Sequence, residues 1–165
     1  MIYLLIILLV GLDQWTKYWA LTELKFRDDI VLWENVFHLK YVENRGAAFG
    51  MMQDRQVLFI VITAIVLITI VRYWRHIPKN VFGRIYKISL ILIVSGALGN
   101  LIDRALLGYV VDLFYFVLID FPVFNVADIC VVAGTIIFCI TMILEEIQQK
   151  KQARINSTIT EGQNQ

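Results

Sequence analysis

Four long apolar segments dominate the chain, and its polar residues lie mainly between them. The predicted spans cover about residues 2–21, 56–74, 88–102 and 126–144. A helix needs about 20 mostly apolar residues to cross a bilayer. The first segment has neither the basic start nor the A-x-A pattern of a cleaved signal, so we interpret it as a retained span. The pattern predicts an all-α membrane protein with four transmembrane helices, built as a single membrane domain over residues 1–146.

The segment between the first two spans alternates apolar and polar residues, as a half-buried strand does. The alternating residues are Phe37, His38, Leu39, Lys40, Tyr41 and Val42. Residues 30–33 form a second apolar run, which can pair with the first across Glu34 and Asn35. The sequence therefore predicts a small extracytoplasmic β-sheet between helices 1 and 2, lying on the membrane surface.

Basic residues favour an orientation with both termini in the cytoplasm. The loop after the second span is basic and has no acid, its charged residues being Arg72, Arg75, Lys79, Arg84 and Lys87. The C-terminal tail adds Lys150, Lys151 and Arg154. Short loops rich in Lys and Arg stay cytoplasmic, so the sheet and the loop over residues 108–125 should face outward. Residues 147–165 are polar and predict a disordered cytoplasmic tail.

Composition agrees with a membrane protein and narrows the chemistry. Hydrophobic residues make up 59% of the 165 residues, whereas soluble domains are typically about 45–50% apolar. Mean hydropathy is +0.69. A net charge of +1 indicates no nucleic-acid partner. Neither H-E-x-x-H nor G-x-S-x-G is present, so the hydrolases that use those motifs are not indicated. Carboxylates remain as the candidate catalytic groups, and we expect neither a metal nor a cofactor.

Two acids bracket the outward loop, Asp112 in an apolar run and Asp128 at the start of the fourth span. A charged side chain at a bilayer centre costs roughly 2.5–3.5 kcal/mol on insertion scales, so this placement needs a reason. We predict that the loop brings the two carboxyl groups together. Such a pair holds one proton, because close like charges do not both ionise readily. The ionised member can activate a water while the protonated member donates to the substrate carbonyl.

Other polar residues gather at the same depth and favour a site at the outer surface over a conduit through the membrane. They are Asp13, Lys17, Asn100, Asp103, Arg104 and Asn125. Asp13 and Lys17 share a helical face and can form a structural ion pair or take part in catalysis.

Three further groups leave alternatives open. Asn100, Asp103 and Arg104 can clamp two helices or shape the site. Asn125 can cap a helix, or it can hydrogen-bond a carboxylate or the substrate backbone. The segment from Asn44 to Gly46 and the small residues after it allow a close backbone approach, to a neighbour or to a ligand.

Two other functions are compatible with the residues alone. A cation carrier predicts ion uptake that is lost in Asp112→Asn, without peptide cleavage. An assembly factor predicts that Asp112→Asn and Asp128→Asn alter thermal stability more than any activity.

Five motifs, in order, resemble those of the lipoprotein signal peptidase (signal peptidase II) family of membrane aspartic proteases, over about residues 5–145. They are Asp13-Gln14-x-x-Lys17, Asn44-x-Gly46-Ala47-Ala48-Phe49, Gly96-Ala97-x-Gly99-Asn100-x-x-Asp103-Arg104, Gly108-x-Val110-x-Asp112 and Phe124-Asn125-x-Ala127-Asp128. Each motif alone is a weak signal, whereas five in this order on a four-span chain are highly specific.

The resemblance implies an intramembrane aspartic endopeptidase of the bacterial cytoplasmic membrane, with its active site near the outer face. It would remove the signal peptide of diacylglyceryl-modified prolipoproteins, cutting before the lipid-modified cysteine without a metal. The implied catalytic dyad is Asp112 and Asp128. The residues implied to shape the site or bind substrate are Asp13, Lys17, Asn44, Gly46, Asn100, Asp103, Arg104 and Asn125. Cyclic peptide antibiotics such as globomycin are the implied inhibitors, and we expect a monomer surrounded by membrane lipid.

Overall fold

The structure, a computed structural model, describes residues 2–46 and 55–163, with side chains described as far as residue 156. The motif residues Ala47, Ala48 and Phe49 lie outside the described part. The elements in order are α1 (Ile2–Glu23), β1 (Ile30–Trp33), β2 (Phe37–Asn44), α2 (Gln56–Tyr73), α3 (Val81–Leu106), β3 (Val110–Phe116) and α4 (Val126–Gln163). Within the described ranges, four helices are long and apolar enough to cross a membrane, which confirms the predicted helical membrane architecture.

Two helices extend beyond their predicted spans. Helix α3 begins at Val81 rather than at about residue 88, because the Asn80 side chain caps it by accepting from the Gly83 amide at 2.8 Å. Helix α4 continues to Gln163, so residues 147–163 of the tail that the sequence predicts to be disordered lie in a helix. Pairs one turn apart, such as Lys150 with Glu146 at 2.6 Å, stabilise an exposed helix locally. The division into membrane domain and tail stays a prediction.

Small residues let α3 pack closely against its neighbours. A Cβ atom at Gly96 would collide with the backbone oxygen of Ala127 in α4, and one at Gly99 would collide with the Asp13 carboxylate of α1. Helix α2 contacts α3 and has no buried residue. Helices α1, α3 and α4 are therefore closely packed, whereas α2 packs loosely and a cavity lies beside it.

The sheet has three antiparallel strands in the order β1-β2-β3. The predicted hairpin of β1 and β2 is confirmed, with Asn35 in the left-handed conformation at its turn (φ +58°). Strand β3 was not predicted, since it comes from the loop between α3 and α4 rather than from the segment between the first two helices. Pairing of Val42 with Asp112 places this acid beside the end of β2.

The sheet rests on the C-terminal end of α1. Ala20 of the helix and Leu24, just after its end, pack with Val111 and Leu113 of β3, and all four are buried. This contact attaches the sheet to a membrane-spanning helix and fixes the position of β3 along the axis of α1.

Candidate active site

Lys17 is the centre of a buried polar network. Its Nζ lies 2.9 Å from Asp13 Oδ2 and 3.1 Å from Asp103 Oδ2, and it donates to Asn100 Oδ1 at 2.9 Å. The Lys17 and Asp13 side chains are only 3% and 1% exposed. The predicted ion pair of Asp13 and Lys17 is therefore present, and it includes a second acid. All three ammonium donors are used, so the lysine is a structural counter-charge.

Asp13 and Asp103 also hold the backbone that carries the two candidate catalytic acids. Asp13 Oδ1 accepts from the Ala127 amide at 2.8 Å, next to Asp128. Asp103 Oδ2 accepts from the Val111 amide at 3.0 Å, next to Asp112. Each structural acid thus fixes the chain one residue away from a candidate catalytic acid.

Gln14 belongs to the same network and was not among the predicted site residues. Its amide donates to Asp103 Oδ1 at 2.9 Å and to the Gly99 carbonyl at 3.2 Å. The sequence feature that could have identified Gln14 as a site residue is its place in the Asp13-Gln14-x-x-Lys17 motif. A glutamine among apolar residues near the end of a span needs buried partners, as charged residues do.

Asp112 is almost fully buried and is held by two neutral donors. Its Oδ1 accepts from Asn125 Nδ2 at 2.6 Å, and its Oδ2 accepts from Asn44 Nδ2 at 2.9 Å. Burial, and then the negative charge of Asp128, raise the pKa of Asp112 to about 7. This carboxyl group can therefore hold a proton near neutral pH.

Asp128 lies in the first turn of α4 and is partly exposed. Its Oδ1 accepts from Asn100 Nδ2 at 2.8 Å, and its Oδ2 accepts from the Asn125 amide at 3.2 Å. In return the Asp128 amide donates to Asn125 Oδ1 at 2.9 Å, so the two residues cap the helix reciprocally. Two of the roles considered for Asn125 are present together, since it caps α4 and also binds the Asp112 carboxylate.

The two acids form a pair without a direct counter-charge. Asn125 hydrogen-bonds to both carboxyl groups, and both side chains line one cavity. In the described part of the chain neither acid has a salt-bridge partner, whereas Asp13 and Asp103 share Lys17. The site thus contains two kinds of acid. Asp13 and Asp103 are ion-paired with Lys17, whereas neutral amide groups orient Asp112 and Asp128.

Arg104 connects α3 to the end of β2 and to α2. Its guanidinium donates to the Gly46 carbonyl at 3.4 Å and lies 4.9 Å from the centre of the Phe59 ring. Gly46 is held in turn by its amide, which donates to Asn44 Oδ1 at 3.0 Å. Arg104 is therefore a clamp between helices, and it also lines the cavity. Its Nε is buried and has no hydrogen-bond partner among the described residues.

The cavity has a volume of about 990 Å³, and its charged and amide-bearing lining residues lie toward one end. Its polar lining includes Asn44, Asn100, Arg104, Asp112 and Asp128. Toward the middle of the helices it is lined by Ile62, Val66, Ile93, Val132 and Ile136. Asp128 and Ile136 are separated by about 12 Å of helix. The described residues contain no group of three or more His, Cys, Asp and Glu able to hold a metal ion.

The comparisons with known proteins agree with the sequence motifs. A family model described as Signal peptidase (SPase) II matches residues 5–144. A lipoprotein signal peptidase of Clostridioides difficile is 48% identical over 151 residues, covering 91% of this chain and 100% of the relative. One of Clostridium acetobutylicum is 44% identical over 157 residues, covering 92% and 99%. A solved structure described as a bacterial membrane enzyme is 33% identical, covers 88% of both chains and has a TM-score of 0.78.

Proposed function

Because the chain belongs to the signal peptidase II family, we propose that Asp112 and Asp128 make it an aspartic endopeptidase. Family membership establishes a multi-pass membrane protease that removes signal peptides from lipoproteins. The aspartic mechanism is our inference. The observation that carries it is the pair of acids that share Asn125, lack a cation partner in the described chain and face one cavity.

In the proposed mechanism Asp112 starts protonated and Asp128 starts ionised. Asp128 is the more exposed of the two, and it takes a proton from a water molecule in the cavity. The water oxygen attacks the carbonyl carbon of the scissile peptide bond while Asp112 donates its proton to the carbonyl oxygen. When the C–N bond breaks, Asp128 returns its proton to the leaving amine and Asp112 regains its own from the hydroxyl of the intermediate.

The surrounding amides make this division of roles possible. Asn44 and Asn125 orient Asp112, and Asn100 orients Asp128. All three are neutral, so they fix the direction of the carboxyl groups without forcing both to ionise. Lys17 is linked to Asp128 by hydrogen bonds through Asn100, which accepts from Lys17 and donates to Asp128. We assign Arg104 to the substrate backbone, because its side chain lines the cavity and its Nε has no hydrogen-bond partner among the described residues.

The shape of the cavity supports a substrate that is itself lipid-modified. The polar end would hold the peptide bond, and the apolar end beside α2 would accept hydrocarbon chains. Each buried CH₂ contributes about 0.8 kcal/mol, so acyl chains hold a substrate strongly in the membrane. We propose a diacylglyceryl-modified prolipoprotein, cut just before the modified cysteine at the outer membrane face. Both termini would be cytoplasmic, the protein would be a monomer, and cyclic peptides such as globomycin would compete for the same cavity.

The proposed chemistry needs no metal, and a cleavage assay with a chelator tests this. We expect the purified protein to cut a diacylglyceryl-modified prolipoprotein at the same rate with and without EDTA. The unmodified prolipoprotein should be cut far more slowly. Loss of cleavage in EDTA that added zinc restores would contradict the metal-free mechanism. Ion uptake in proteoliposomes without any cleavage would instead favour the carrier.

The raised pKa of Asp112 predicts how activity depends on pH. The protonated form of Asp112 predominates below a pKa of about 7, and the proton is lost as the pH rises through that value. Since the mechanism needs that proton, kcat/KM, which reports the pKa values of the free enzyme, should fall tenfold for each further pH unit on the alkaline side. A profile of kcat/KM between about pH 5 and pH 9 measures this limb. A flat profile over this range would contradict the assignment of the proton to Asp112.

A further inference from the structure

The end of the sheet farthest from Asp112 carries large apolar side chains that are exposed in the described structure. We call them the apolar tip: Trp33, Phe116, Leu118 and Ile119. Trp33, Leu118 and Ile119 are 69%, 70% and 68% exposed. Turns usually carry polar residues, and a cluster of exposed apolar residues marks an interaction surface.

Two tight turns that lie side by side build the apolar tip. One contains Asn35 and the other ends at Asp120, and both have left-handed backbones, with φ of +58° and +47°. The Val117 amide donates to the Val36 carbonyl at 2.9 Å and ties the turns together. The Tyr115 hydroxyl donates to Asp120 Oδ1 at 2.7 Å and holds the second turn to β3. The apolar residues are thus presented by an ordered part of the sheet.

The attachment of the sheet determines what the apolar tip can meet. Strand β3 packs on the C-terminal end of α1, where that span ends at Glu23. A strand rises about 3.3 Å per residue, so Phe116 lies about 13 Å along β3 from Asp112. The sheet therefore begins beside the C-terminal end of α1, and the apolar tip lies at the end of the sheet that points away from Asp112.

We propose that the apolar tip inserts into the membrane interface on the active-site side and anchors the sheet to lipid. The lipid surface already surrounds the spanning helices, so the tip would extend an existing interface. Tryptophan favours the headgroup region, and aliphatic side chains enter the acyl boundary beneath it. The charged residues at the two turns are Glu34 and Asp120, both acids, so the tip suits zwitterionic rather than anionic headgroups.

Fluorescence quenching by brominated lipid tests the insertion directly. We would replace Cys130 and Cys139 by alanine, introduce Leu118→Cys, attach bimane and reconstitute the protein in phosphatidylcholine vesicles. Bromine near the headgroup end of the acyl chains should remove most of the emission, and the emission maximum should lie to the blue of its position in water. The matched control is Lys40→Cys on the same sheet, whose side chain pairs with Asp29 and stacks on Tyr115. Its label should stay bright.

Unquenched bimane at residue 118 would overturn the proposal, and so would equal quenching of both labels. Efficient disulfide dimers of unlabelled Leu118→Cys would assign the apolar tip to a second copy of the chain and also overturn it. A second readout rests on the proposed function. Leu118→Ser with Ile119→Ser should raise KM about tenfold in vesicles, roughly what one lost aliphatic contact is worth, and leave it unchanged in detergent micelles. Quenching without this change in KM would leave the anchor intact and count against a role in presenting substrate.

Discussion

Asp112→Asn and Asp128→Asn are each expected to lower kcat by about a hundred- to ten-thousandfold, the range that general acid–base catalysis contributes. Asparagine has nearly the same shape as aspartate, but it neither gains nor gives up a proton at neutral pH. The measurement is a gel-shift cleavage assay on the diacylglyceryl-modified substrate, with the thermal unfolding of each variant followed in parallel. Both variants should remain folded, because neither acid balances a buried cation.

Asp120→Asn is the matched control for these two variants. Asp120 is an exposed acid of the segment between α3 and α4, and among the described side chains it bonds only to the Tyr115 hydroxyl. Asparagine tolerates the left-handed backbone that this position requires. The cleavage activity of the Asp120→Asn variant should match that of the unmodified protein. If either dyad variant kept a tenth of the activity or more, the two-carboxylate mechanism would be wrong, whatever the stability data showed.

The polar residues of the site could be predicted because each is costly where the sequence places it. Asp13, Lys17 and Asp103 interrupt or end apolar spans, and buried charges need partners. Their shared depth along the spans was visible from spacing alone, and the structure joins them through Lys17. The same reasoning applies to Asn125, whose place just before a span indicates a cap.

The sequence could not predict β3 or the partners that it supplies. Its first residues, Val110 to Leu113, are all buried, so the strand lacks the alternation that identified β2. Without β3 the register of Val42 with Asp112 cannot be known, and neither can the bond from Asn44 to Asp112. The start of α3 was missed for a different reason. Basic residues in its first turns resemble a loop until the Asn80 cap is seen.

Lys17→Met is expected to destabilise the fold by about 3–5 kcal/mol, the cost of leaving buried charges without their partner. Methionine keeps the length and the apolar stem of lysine but removes the charge between Asp13 and Asp103. Both acids are nearly inaccessible to solvent, so neither can be stabilised by water instead. Native domains are stable by only about 5–15 kcal/mol. The yield of folded protein and its unfolding temperature in detergent should therefore fall sharply.

Two sets of control variants test whether the loss of stability in Lys17→Met comes from unpaired charge. Lys25→Met removes the partly exposed pair with Glu43 and should destabilise the fold far less than Lys17→Met, because exposed ion pairs contribute little to stability. Adding Asp13→Asn and Asp103→Asn to Lys17→Met should recover much of the folded yield, because the network is then neutral. Cleavage should recover less than folding, since the Asp13 and Asp103 carboxylates also hold the Ala127 and Val111 amides. If Lys17→Met were as stable as Lys25→Met, Lys17 would not be the counter-charge on which the site is built.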